Sequence, residues 1–280
     1  MSLYDSGVRQ VIDDYLLEES KKVRDYGDYW SASSAGYCQR KLIFERLGVP
    51  KNNEDARRQR VFTSGHIFHN WIQELTKKAG ISIAQEVELQ DEDLMIRGHF
   101  DDLILVTDSP LKLETVVANE GTPYERITTV PKQHLILYDY KTVNSRSFMW
   151  AKKNGNTMSH FHRMQLGTYM YMLRQQKHIW KGTTNYTLEP NTLDEARILK
   201  IEKDALMMGE QKLMWTPELE KEVVGFWRTL NGHWKAKTLP KCSCADQENG
   251  FMAKEAYNGY YYDGEPCSLE YYKKWKAGKL

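Results

Sequence analysis

The stretch LILYDYKT (Leu135–Thr142) begins as a run of apolar residues and ends in an acid, an aromatic and a lysine. Along an extended strand, side chains two apart face the same way. Asp139 and Lys141 therefore project together, in line with Leu135 and Leu137. A carboxylate and an ammonium side by side at the end of a covered strand can bind a hard divalent cation and hold or activate a water. They can equally form an ion pair at a sheet edge, and an isolated D-x-K arises often by chance. The rest of the chain has to decide between the two.

Upstream, RGHFDDLILV (Arg97–Val106) puts Asp101 and Asp102 between a glycine and a second apolar run. Gly98 permits a close backbone approach. A carboxylate from this strand beside Asp139 would suit Mg²⁺, which takes few carboxylates and keeps waters and phosphate oxygens. The alternative is a pair of turn-capping aspartates. Downstream, SHFHRMQLGTYMYMLRQQ (159–176) has helical periodicity, and Gln165 and Tyr169 share a face with Phe161 and Met172. That face could orient a phosphate or a water, or it could simply be core. In TSGHIFHNWIQELTKKAG (63–80), also helical, His69 lies on one face with Gly65 and Ile72. It could be a core histidine, or half of a zinc pair with His66; no HExxH pattern supports a protease.

Around these segments, the spacing predicts a helix in DSGVRQVIDDYLLEESKK, with Val8, Val11, Ile12, Tyr15 and Leu16 on one face and Asp5 or Ser6 as cap. A short helix is predicted in CQRKLIFERLG, ending at Gly48. ISIAQEVEL and LMIRGHFDDLILV read as neighbouring antiparallel strands. Residues 107–133 read as a loop that could hold a hairpin. Two more strands are expected around 182–188 and 196–202, and a helix over roughly 217–236. This order suggests an α/β core with a mixed sheet.

The chain has 280 residues, with 39 Lys and Arg against 38 Asp and Glu. A net charge of +1 gives no global nucleic-acid signal, so any DNA contact must come from local patches. No apolar run approaches a membrane span. Asp5, Asp13, Asp14, Glu18 and Glu19 argue against a secretory or mitochondrial leader. The expected compartment is a reducing cytoplasm, where four cysteines are thiolate ligands or free thiols rather than disulfides. No G-x-x-x-x-G-K-[ST] loop is present, so no ATP-driven motor is built in.

Four weak motifs in one order resemble the PD-(D/E)XK nuclease superfamily, in its RecB-like and CRISPR-associated iron–sulfur exonuclease branch. They are Gly65-x-x-x-His69, Gly98-x-Phe100-Asp101, Asp139-x-Lys141 and Gln165-x-x-x-Tyr169, within a likeness spanning roughly residues 30–270. The resemblance implies a restriction-endonuclease-like α/β core, its central mixed sheet flanked by helices. It implies a Mg²⁺- or Mn²⁺-dependent DNA exonuclease, with an endonuclease or an inactive DNA-binding relative as the rivals. His69, Asp101, Asp139 and the Tyr140 carbonyl would be metal ligands. Lys141 would position the water or offset charge on the phosphate, and Gln165 and Tyr169 would support the site and the DNA. The partners implied are DNA, single-stranded or with free ends, and a separate helicase, recombination or CRISPR protein, with no membrane. The chain departs from the family where 37 residues separate Asp101 from Asp139 in place of a short hairpin.

The cysteines extend the likeness. Cys38 stands alone near the start, and Cys242, Cys244 and Cys267 lie near the end. This one-plus-three arrangement resembles the family members in which a 4Fe–4S cluster staples the chain ends. The expectation is one nuclease domain over 1–280, with 1–60 and 237–280 forming an iron–sulfur-linked subregion. The C-x-C spacing departs from the family's tighter group, which keeps a four-thiolate zinc site and free thiols open.

Overall fold

The computed structural model describes residues 7–20, 27–49, 56–107, 113–118, 126–131, 133–153, 155–175, 178–181, 184–187, 193–240 and 273–279. Helix α1 (Gly7–Ser20) is followed by the two-residue strand β1 (Trp30–Ser31), α2 (Gln39–Arg46) and the long α3 (Ala56–Lys78). Strands β2 (Ser82–Asp91) and β3 (Ile96–Thr107) come next, then the hairpin β4 (Leu113–Ala118) and β5 (Arg126–Pro131), and β6 (Gln133–Val143). Helices α4 (Ser145–Lys153) and α5 (His160–Gln175), the hairpin β7 (His178–Lys181) and β8 (Thr184–Thr187), strands β9 (Glu195–Glu202) and β10 (Met208–Met214), and α6 (Pro217–Lys235) complete the order. No described helix is long and apolar enough to cross a membrane.

The fold is α/β, with a mixed central sheet flanked by helices. β2 and β6 lie on either side of β3, both antiparallel to it. β9 pairs with β6 in parallel, and β10 closes the edge antiparallel to β9. A parallel pair needs a crossover rather than a hairpin, and the segment carrying α4 and α5 provides it. LILYDYKT is therefore an interior strand, paired on both sides, as its apolar run implied.

Alternation along the strands feeds two apolar clusters. Leu103, Leu137, Ala196 and Ile198 pack with Met164, Met170 and Leu173 of α5. Ile104, Ile136, Tyr138, Tyr140 and Ile201 pack on the other side, with Ile72 and Phe68 of α3. Helix α5 is buried nearly all round, because α6 covers the side turned away from the sheet. Gly167 makes that approach possible: a Cβ there would stand 2.9 Å from Val223 Cγ2. α6 starts at Thr216, whose hydroxyl accepts from Leu219 N at 3.2 Å, with Pro217 in the first turn.

Some expectations shift. The segment 107–133 does hold a hairpin, β4–β5. Helix α3 begins earlier than its apolar pattern suggested, and α4, β7 and β10 were not foreseen. α1 forms, but Val8, Val11, Ile12 and Tyr15 face solvent, and Asp13 turns inward to meet Arg60 of α3. An ion pair orients this helix, not its apolar stripe.

Candidate active site

The buried end of β6 delivers two of the expected groups. Asp139 is only 3% exposed. Its Oδ1 accepts from Lys141 Nζ at 2.9 Å and from Gln165 Nε2 of α5 at 3.1 Å. Its Oδ2 lies equally near Nζ, at 2.9 Å, but outside hydrogen-bond geometry, and has no hydrogen-bond partner among the described residues. Burial alone would lower the Lys141 pKa. The carboxylates of Asp139 and Asp101 outweigh it and hold the ammonium above its ordinary value.

Asp101 arrives on β3 from the neighbouring register, and its Oδ2 accepts from Tyr140 N at 2.7 Å. Its Oδ1 stands 3.8 Å from His69 Nε2, which in turn lies 3.0 Å from Glu86 Oε1. One ligand atom from each of His69, Glu86 and Asp101 falls within 4.8 Å of the others. His69 Nε2 is buried, and despite these short distances it makes no hydrogen bond of acceptable geometry with described residues. Burial depresses the His69 pKa, but contact with Glu86 and the Asp101 charge raise it overall. Asp101 is pushed up to about 7 by burial and then by the Asp139 carboxylate, against the pull of Lys141 and His69. The ring of His69 stands edge-on to Tyr140 at 5.6 Å, whereas His66 is exposed and outside the group.

Glu86 was not foreseen, and the backbone explains why it is there. Its φ of 50° is left-handed, a conformation that costs a non-glycine residue free energy and clusters at functional sites. The turn switches the faces of β2. Val87 and Leu89 pack into the α5-side core, while Gln85 bonds to Gln73 O and Thr76 Oγ1 of α3. Between them, the Glu86 carboxylate swings to His69 and is held by Gln73 Nε2 at 2.9 Å. One signal was available: Gln85 interrupts the apolar series Ile81, Ile83, Val87 and Leu89.

Of the two adjacent aspartates, Asp101 is the one at this site. Asp102 is fully buried, and its carboxylate is saturated by Ser82 Oγ at 2.6 Å, Thr76 Oγ1 at 2.7 Å, Tyr140 OH at 2.9 Å and Gln85 Nε2 at 3.0 Å. It fixes Tyr140, whose N–H fixes Asp101. Gln165 joins the site directly, whereas Tyr169 is 4% exposed and lies against Gly98. A Cβ on Gly98 would stand 2.8 Å from Ala32 Cβ and 2.9 Å from the Tyr169 hydroxyl oxygen, so this glycine lets α5 and β3 close up.

Two further groups not anticipated from sequence flank Lys141. Lys200 is its register partner on β9, and His162 lies one turn before Gln165 on α5.

Cys38 is buried at the residue preceding α2. Cys242, Cys244 and Cys267 lie outside the described residues. Among the described residues, Trp30 and Trp275 both pack on Trp234 of α6. Trp30 stands edge-on to Trp234 at 5.6 Å, and Trp234 stacks on Trp275 at 4.7 Å. The Arg46 guanidinium sits 4.4 and 4.5 Å from the centres of Trp30 and Trp234.

No family model matches this chain, and no curated protein matches it. A solved structure, "Crystal structure of SSO0001", is similar to it at 14% identity, over 86% of this chain and 93% of that one, with a TM-score of 0.43. At that level of likeness nothing about function transfers.

Proposed function

We propose that this chain is a Mg²⁺- or Mn²⁺-dependent deoxyribonuclease with a restriction-endonuclease-like core, acting from DNA ends. The observation that carries the reading is the convergence of His69, Glu86 and Asp101 within 4.8 Å of one another, with Asp139, paired to Lys141, close enough for its charge to act on Asp101. Two atoms of this set, His69 Nε2 and Asp139 Oδ2, are buried without a hydrogen-bond partner among the described residues. Carboxylate oxygens with one imidazole form a hard donor set, which suits Mg²⁺ or Mn²⁺ and not a thiophilic metal. The succession α3, β2, β3, β6, α5, β9, with three antiparallel strands and a parallel fourth, supports the core assignment.

His69, Glu86, Asp101 and Asp139 would hold the ion, and the Tyr140 carbonyl joins them in the proposal. The bound ion supplies Lewis acidity toward the phosphodiester and a more acidic water. The protein's own groups do the positioning. Gln165 locks the Asp139 rotamer, the Tyr140 N–H locks Asp101, and Gln73 holds Glu86. Lys141 stays protonated, so its charge offsets the charge that develops on the phosphate.

For the chain ends we propose a 4Fe–4S cluster on Cys38, Cys242, Cys244 and Cys267. Burial of Cys38 and the stacking of Trp275 on Trp234, a side chain that also meets Trp30 and Arg46, support it. Such a centre suits a reducing cytoplasm.

The test of activity is incubation of end-labelled linear DNA and closed circular single strands with Mg²⁺, Mn²⁺ or EDTA. The expected result is metal-dependent shortening from a terminus, with the circle intact. Rapid cutting of the circle would make the protein an endonuclease, and no hydrolysis with either metal would refute the nuclease reading.

A further inference from the structure

The parallel pairing of β6 and β9 sets Lys200 directly beside Lys141, with strands about 4.8 Å apart. Lys141 is neutralised by Asp139 at 2.9 Å. Lys200 is half-buried and makes no ion pair with any described carboxylate. Burial lowers its pKa. A partly buried cation without a counter-charge is costly, and an anionic ligand would remove the cost.

His162 stands at the same place. Its Nδ1 is shut off from solvent and has no hydrogen-bond partner among the described residues. Lys141, Lys200 and Asp139 all act on its ring electrostatically, and burial with the two lysines pushes its pKa down to about 4. The imidazole is therefore neutral, with one N–H to donate, and it carries no charge into a site that already has two. Helix α5 fixes its place, because Gln165, one turn on, is tied to Asp139.

We propose that Lys200 and His162 form a phosphate subsite, a cation and a neutral donor that grip a second phosphate of the DNA backbone next to the one held at Asp139 and Lys141. The identity of the anion as a substrate phosphodiester rests on the nuclease reading; the affinity for phosphate does not. Lys200 makes the charge-assisted contact, and His162 adds a directed hydrogen bond that fixes the phosphate on the α5 side of the sheet. The subsite would hold the strand in register without taking part in bond cleavage.

Inorganic phosphate titrated into the metal-free full-length protein decides the matter, with the His162 ring signals followed by NMR. Saturable shifts in the wild type that vanish in Lys200→Gln support the subsite. Signals that do not move, or that move equally in Lys200→Gln, overturn it. A second measurement uses a short oligothymidylate with Ca²⁺ in place of Mg²⁺. Lys200→Gln should bind about tenfold more weakly, the worth of one charged hydrogen bond. The slope of log affinity against log salt should fall by about 1. An unchanged slope would also overturn the proposal. Hydrolysis of linear DNA by the wild type is scored separately, so a chain that bound phosphate yet cut nothing would sink the nuclease reading and leave the subsite standing.

Discussion

The opposition between Asp101 and Asp139 predicts that removing one of them stabilises the metal-free protein. Asp101 is pushed from 3.8 up to about 7 by burial and by the Asp139 carboxylate. At about 1.4 kcal/mol per pH unit, that rise sets an upper bound of roughly 4 kcal/mol on the cost of ionising it in the fold. Because the two carboxyls titrate together, part of that cost belongs to the pair, and we expect about 1–3 kcal/mol to be recovered. The substitution is Asp101→Asn, whose amide oxygen can still accept from the Tyr140 N–H.

The sign follows from linkage. A carboxyl whose folded pKa is raised is protonated in both states at low pH, so it then costs nothing. As pH climbs from the unfolded value toward about 7, the unfolded chain sheds the proton first and the fold is penalised. Urea unfolding in EDTA should therefore show no difference between variant and wild type near pH 4. The gap should open through the intervening range and be full at pH 8. Adding Mn²⁺ at pH 8 should stabilise the wild type strongly and the variant little, because a ligand has gone. A variant less stable than wild type at pH 8, or a gain independent of pH, would refute the reasoning.

Asp139→Ala and Lys141→Ala should each abolish metal-dependent DNA hydrolysis while circular dichroism stays native, since each removes several kcal/mol of transition-state stabilisation. Near-normal rates would reduce the strand end to a structural ion pair. Gly98→Ala should cost about 1–3 kcal/mol of stability, because its Cβ would meet Ala32 and Tyr169 below contact distance; urea unfolding checks it. Asp102→Ala should destabilise more, by roughly 3–5 kcal/mol, as it strands several buried donors at once, and unfolding that matched wild type would contradict the saturated network. Protein purified without oxygen should be brown with broad visible absorbance, and Cys38→Ser should bleach it. Colourless protein with one equivalent of zinc would point to a four-thiolate zinc site.

The parts of the site that were legible in the sequence are those whose placement depends on local periodicity. Asp139 and Lys141 face one way because they are two apart on a strand. Gln165 reaches that face because its helix lies over the strand. Asp101 follows from Gly98, whose missing side chain marks where α5 and β3 touch. The choice of Asp101 over Asp102 came from the Gly98-x-Phe100-Asp101 resemblance and not from periodicity; physically it is settled by four side-chain donors on Asp102 drawn from α3, β2 and β6. Lys200 was hidden for a related reason. Its neighbour is fixed by parallel pairing across a crossover of two helices and a hairpin, and no sequence period spans such a distance. Glu86 is the sharpest case. Alternation puts it among the polar residues of β2, away from the apolar series, and neither the left-handed backbone it adopts nor its approach to His69 is written in that pattern. Steric preference runs against that conformation in a glutamate, so the surrounding structure must hold it there. The contacts that do so are Gln73 on its carboxylate and Gln85 anchored on α3 one residue before. The left-handed Glu86 sets a second acid beside Asp101 and His69, and the free-energy cost of that conformation is the physical argument behind the cation proposed at the end of β6.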